Sequence, residues 1–174
     1  MKQELHFPTP IYSVDIGNVD FNKYLEEHII KWQEKEKGMQ RTNINGWHSL
    51  DSMHKKEEYK PLVEDLYKAQ KIIYEKENYN LEPYLGNMWA NVNSPGAYNR
   101  PHIHPNSLWS GVYYVKTPKN CGDLKIEDPT SIGLMTLPNR KEPIPKHSLR
   151  EISYDPIAGR LIMFPSYLNH CVDT

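Results

Sequence analysis

Three histidines carry the clearest chemical signal in this chain: His102 and His104, one residue apart, and His170, 66 positions further on. In a β-strand successive side chains point to opposite faces, so residues i and i+2 share a side. An extended Arg100-Pro-His-Ile-His-Pro105 would therefore present both imidazoles to one side, close enough to hold a single ion. Imidazole suits Fe, Zn, Cu and Ni alike, so the ligand type does not choose the metal. Two solvent-facing strand histidines would have the same spacing. The second part of the signal is Gly159-Arg-Leu-Ile-Met-Phe-Pro165-Ser-Tyr-Leu-Asn-His170, where a glycine opens an apolar strand, a proline stops it and a histidine follows.

Elements must bring these segments together, and the composition changes near residue 85. Before it, Asp20 to about Lys37 places Phe21, Tyr24, Leu25, Ile29 and Trp32 on one helical stripe, with Asp20 as the expected cap and Gly38 as the stop. A second helix is expected from about Pro61 to Tyr79, with Leu62, Leu66, Ala69 and Ile73 on one face and Pro61 in its first turn. The polar stretch Arg41 to Met53 between them reads as a loop or short strand. It carries His48, read with His54 as a surface histidine. After residue 85 short β segments follow, divided by Pro and Gly: Asn87–Asn93, Tyr98–His102, Trp109–Lys116, Leu124–Glu127, Leu149–Tyr154 and Arg160–Phe164. Leu5–Ile16 could add a strand, and Pro138 to Pro145 reads as an exposed loop. Trp89 and Trp109 are expected in the core.

Helices first and then many strands predict an α+β, mainly β, protein. A His-x-His pair, a long interval and a post-strand histidine is how a double-stranded β-helix (jelly roll) assembles a facial metal triad. The expected architecture is that fold with the N-terminal helices packed on its outside. One domain is expected over residues 1–174, with helical support over about 18–80 and a β core over about 85–174.

Composition excludes several functions. The chain has 174 residues, 38% of them hydrophobic, and a net charge of -1 with both signs interspersed, which argues against nucleic-acid binding. Mean hydropathy is -0.75 and no apolar run could span a bilayer. The first residues lack the apolar segment of an export signal, so a cytoplasmic location is expected. Cys121 and Cys171 have no metal-ligand spacing and read as reduced thiols. Phosphate-loop, serine-elbow and paired-carboxylate signatures are absent from the sequence.

Six motifs occur in order: Phe7-Pro-Thr-Pro-Ile-Tyr12, Trp89-Ala-Asn-Val-Asn93, Asn99-Arg-Pro-His-Ile-His-Pro105, Ser110-Gly-Val-Tyr-Tyr-Val115, Glu127-Asp-Pro129 and Phe164-Pro-Ser-Tyr-Leu-Asn-His170. Together they resemble the 2-oxoglutarate–Fe(II) oxygenases common in marine bacteria and their phages. That resemblance covers nearly the whole chain. It implies Fe(II), 2-oxoglutarate as co-substrate, and release of succinate and CO2 as a C–H bond of an unidentified small molecule or peptide is hydroxylated. His102 then matches the first histidine of the family's metal motif and His170 the distal one. His104 stands where the wider superfamily supplies a carboxylate. Three arrangements follow: a three-histidine site, a two-histidine site with water, or a shell completed by an acid such as Asp128.

Relatives anchor the co-substrate with an arginine beyond the distal histidine. Thr174 lies four positions after His170, so the C-terminal strand and that arginine are expected to lie outside the sequence. Candidates inside it are Lys116, on the strand after His102, and Arg100, on the His102 face if the strand is regular. Tyr98, Tyr113 and Tyr114 could hydrogen-bond a carboxylate, and Asn91 or Asn93 could orient one. Two further readings stand beside this one. A cupin-like metal dioxygenase or isomerase would work without 2-oxoglutarate, but the acid its motif expects after His104 is missing. A non-catalytic β-sandwich would bind a partner, and exposed β edges would also permit a homodimer.

Overall fold

The computed structural model describes residues 1–130 and 138–174. Two helices form where the apolar spacing predicts them. Helix α1 spans Val19–Lys35 and buries Leu25, Ile29 and Trp32. Its cap is Asn18 rather than the expected Asp20: the Asn18 side chain accepts a hydrogen bond from the Phe21 N–H at 2.9 Å, while Asp20 lies in the first turn. An amide oxygen here satisfies a free helix-end N–H, and Asp20 favours the positive end of the helix. Helix α2 spans Lys60–Lys76, with Pro61 in its first turn and Leu62, Ala69 and Ile73 buried.

Among the described residues, the Pro- and Gly-punctuated sequence forms ten short strands. A three-stranded antiparallel sheet has the order β1 (Tyr12–Asp15), β9 (Arg160–Pro165), β6 (Trp109–Tyr113). A five-stranded sheet has the order β2 (Asn43–Ile44), β5 (Tyr98–His102), β10 (His170–Val172), β7 (Leu124–Glu127), β8 (Glu151–Tyr154). A two-stranded ribbon pairs β3 (Trp47–His48) with β4 (Asn91–Val92). The protein is thus mainly β. The segment expected as a strand over 87–93 shrinks to its last residues, and Met88 keeps only an isolated bridge to Ser52. Among the described residues, no helix is long and apolar enough to cross a membrane.

Alternation explains how the layers stack. On β9, Ile162 and Phe164 join Leu124, Ile126 and Leu168 in one buried cluster between the two larger sheets. Leu161 and Met163 point the other way, onto Ala69 and Ile73 of α2. Helix α1 packs beside α2 through Leu25, Ile29 and Trp32 against Trp47, Met53, Tyr59 and Leu62. Helix α2 therefore covers the outer face of the three-stranded sheet, with α1 packed beside it.

Where the helices join the β layers the backbone comes very close. The Gly159 carbonyl accepts hydrogen bonds from Ile16 and Gly17, and its N–H donates to Tyr114. Gly159 has φ +86°, and a Cβ there would meet the Gly17 backbone at 3.2 Å. Only glycine takes up such a conformation without strain.

Candidate metal centre

Cross-strand pairing builds the site. His102 on β5 lies opposite His170 on β10, which lies opposite Ile126 on β7 and then Ile152 on β8. Residues directly opposite share a face, so both imidazoles point into the interior that Ile126 helps to fill. His104 follows two residues after His102, and its N–H is fixed to the Ser166 carbonyl at 3.0 Å, just past β9. One ligand atom from each of His102, His104 and His170 lies within 4.8 Å of the others. This is the group of metal-ligating side chains found among the described residues.

Hydrogen bonds set the tautomers. His102 Nδ1 lies 2.7 Å from the Arg100 carbonyl, and His170 Nδ1 lies 3.0 Å from the Leu168 carbonyl. A carbonyl only accepts, so each Nδ1 carries a proton, and in the neutral ring it is Nε2 that holds the lone pair. Burial pushes His104 down to about 4, and the neighbouring His102 ring lowers it further. Burial likewise pushes His170 down to about 4 against its bond to Leu168, with lesser effects from His102 and His104. Both rings are therefore neutral donors at neutral pH. Three imidazoles with free ring nitrogens fit a first-row cation, for which bonds of roughly 2.1 Å bring ligand atoms to about 3 Å. Asp128 does not join them: its Oδ1 accepts from the Thr130 N–H at 2.8 Å and the Thr130 hydroxyl at 2.6 Å.

Aromatic rings wall the centre. The Phe164 ring meets His170 edge-on at 4.7 Å between centroids. Trp89 lies 5.5 Å from His104 and stacks on His48 at 5.2 Å and 12°. His48 is buried rather than on the surface, and Trp89 is half-buried beside the histidines rather than in the core. Deeper in the same interior is Tyr114, packed against the cluster that contains Phe164. Its hydroxyl is buried with no hydrogen-bond partner among the described residues, and burial pushes its pKa up to about 12.

The remaining candidates lie elsewhere. Lys116 is exposed and paired with Glu26 of α1 at 2.5 Å. Arg100 fails for a reason of register. His102 pairs with His170, but Val172 pairs with Asn99, so β5 holds one residue more than β10 over this interval. This β-bulge absorbs Arg100 and Pro101 and breaks the alternation. Asn99, 6% exposed, takes the interior position, and Arg100 is left in solvent. Tyr98, next to Asn99, therefore faces outward, and Asn91 is exposed opposite His48. Asn99 also accepts from Asn93 Nδ2 at 3.3 Å. Among the described residues, no lysine or arginine is buried. No sequence pattern announces Asn99, since a bulge has to be seen in the pairing. The roles of His48 and Trp89 depend on contacts between distant segments.

Comparison with known proteins agrees with this geometry. The family described as "Putative 2OG-Fe(II) oxygenase" matches residues 87–174, just over half of the chain. A solved structure, that of a Pseudomonas putida prolyl-4-hydroxylase, aligns with TM-score 0.66 at 15% identity, covering 94% of this chain and 84% of that one. At that identity the likeness is one of fold. No curated protein matches the sequence. The family match defines the class, a metal-dependent oxygenase, and the histidine cluster is consistent with it. The chain belongs to the 2-oxoglutarate–Fe(II) oxygenase family, and its metal and co-substrate are Fe(II) and 2-oxoglutarate.

Proposed function

We propose that the chain hydroxylates a C–H bond of a small-molecule or peptide substrate, with one oxygen atom of O2 entering the product and the other entering succinate as CO2 leaves. The observation that carries this reading is the convergence of His102, His104 and His170 with two of their three tautomers fixed by main-chain carbonyls. Bound Fe(II) supplies the oxidative chemistry, and the chain holds, orients and shields. His102 and His170 offer Nε2 from fixed rings, with His104 as the third, neutral donor. A neutral set leaves the full charge of the ion to attract anionic ligands, which suits a 2-oxo acid. Phe164 and Trp89 keep water from two sides of the histidines. A buried hydroxyl in the same interior, that of Tyr114, supports a role for it as donor to the far carboxylate of the co-substrate.

The same reading takes residues 1–174 as one domain and the two larger sheets as halves of a double-stranded β-helix. Chain order supports this: β5, β7, β8 and β10 enter one sheet while β6 and β9 enter the other. The test is succinate formation from 2-oxoglutarate. It should depend on Fe(II) and vanish in His170→Ala, and Lys116→Ala should leave it unchanged. Succinate no higher than a metal-free control across a broad substrate panel would overturn the assignment.

A further inference from the structure

We propose that Trp89, braced by His48, is the positioning residue for His104, which makes the third ligand one held by ring packing rather than by a hydrogen bond. The inference rests on the three-histidine reading above. Metal-bound histidines are usually oriented by a hydrogen bond from the ring nitrogen that does not face the ion. His102 and His170 follow that rule, through the carbonyls of Arg100 and Leu168. Among the described hydrogen bonds, none involves the His104 ring. Its aromatic neighbours are His102 and His170, each at 4.9 Å, and Trp89 at 5.5 Å. The first two are ligands themselves, so Trp89 is the wall that stays put when the ion comes and goes.

That wall is built rigidly. The near-parallel stack with His48 fixes the plane of the indole. His48 is 7% exposed, and its Nδ1–H donates to the Ser49 carbonyl at 2.6 Å. Ser49 is fully buried and bonds twice to Ala90, the residue after Trp89. Its N–H donates to the Ala90 carbonyl at 3.0 Å, and its Oγ accepts from the Ala90 N–H at 3.0 Å. The β3–β4 ribbon continues the connection, with His48 opposite Asn91. A segment 41 residues upstream of Trp89 thus sets the angle of the indole beside His104.

An anaerobic titration of the full chain with Co(II), read by visible absorption, tests this without turnover. In wild type the band should report all three imidazoles. Trp89→Ala should weaken binding roughly 10- to 100-fold, the cost typical of losing a group that orients a ligand. Its spectrum should also move toward that of His104→Ala. Trp89→Phe, which keeps a ring against His104, should recover most of both. His48→Leu, which removes the brace but not the indole, should shift the spectrum the same way by less, and it serves as the decisive variant if Trp89→Ala does not fold. Wild-type affinity and spectrum in both Trp89→Ala and His48→Leu would overturn the proposal while leaving the three-histidine site intact. No band in wild type would instead remove the reading on which it stands.

Discussion

Histidines kept neutral by burial leave a mark on stability as well as on metal binding. His48, His104 and His170 all lie below the ordinary 6.5, chiefly because burial disfavours their charged forms. When pH falls through 6.5 the unfolded chain takes up these protons first, and the folded chain lags. The metal-free protein should therefore be at full stability, as far as these groups go, above about pH 7. It should lose stability progressively from 6.5 toward 4, where folded His104 and His170 also protonate. Urea midpoints at successive pH values check this, and a midpoint that rises as pH drops to 5 would contradict it. At this scale the three histidines that come together were legible in the sequence, because His102-x-His104 and the post-strand His170 depend only on local geometry. It misplaced Arg100, because a bulge changes which residue faces inward, and Lys116, because Glu26 on a distant helix captures it.

Among the elements, boundaries were most legible where short-range rules decide. Tyr98–His102 and Leu124–Glu127 are bounded by their turn residues, and the α1 stripe by its apolar spacing. β10 was invisible in advance: three residues carry no alternation, and they become a strand only by pairing with β5 and β7 on either side. The junction at Gly159 is a second long-range feature, and it carries a prediction. Gly159→Ala should cost about 1–2 kcal/mol from its left-handed backbone alone, and more from contact with Gly17. Chemical denaturation measures it, and an unchanged midpoint would mean that the junction relaxes freely. Tyr113→Phe should cost about 1 kcal/mol by removing a hydrogen bond to Asn22 that ties β6 to α1.

For the whole molecule, the site and the core share side chains. Phe164 is fully buried in the cluster between the sheets and also touches His170. Phe164→Ala should lower stability by about 3–5 kcal/mol and weaken metal binding in the same protein. A loss of one without the other would separate scaffold from site. Metal should stabilise in turn: at a free concentration 100 times Kd, binding adds about 2.7 kcal/mol. The melting temperature should rise accordingly and return on adding a chelator. The layered arrangement was foreseeable from the order of helices and strands. Which face of β9 would meet α2 was not, because both faces of that strand are apolar and either could have met it.

The solitary hydroxyl of Tyr114 implies a compromise between endurance and readiness. With no partner among the described residues, a buried phenol costs the fold about 1–3 kcal/mol. Tyr114→Phe should thus make the resting protein sturdier while it grips 2-oxoglutarate less firmly. Opposite signs in a thermal melt and a ligand titration of this one variant would show that the protein is most at ease only when its co-substrate completes it.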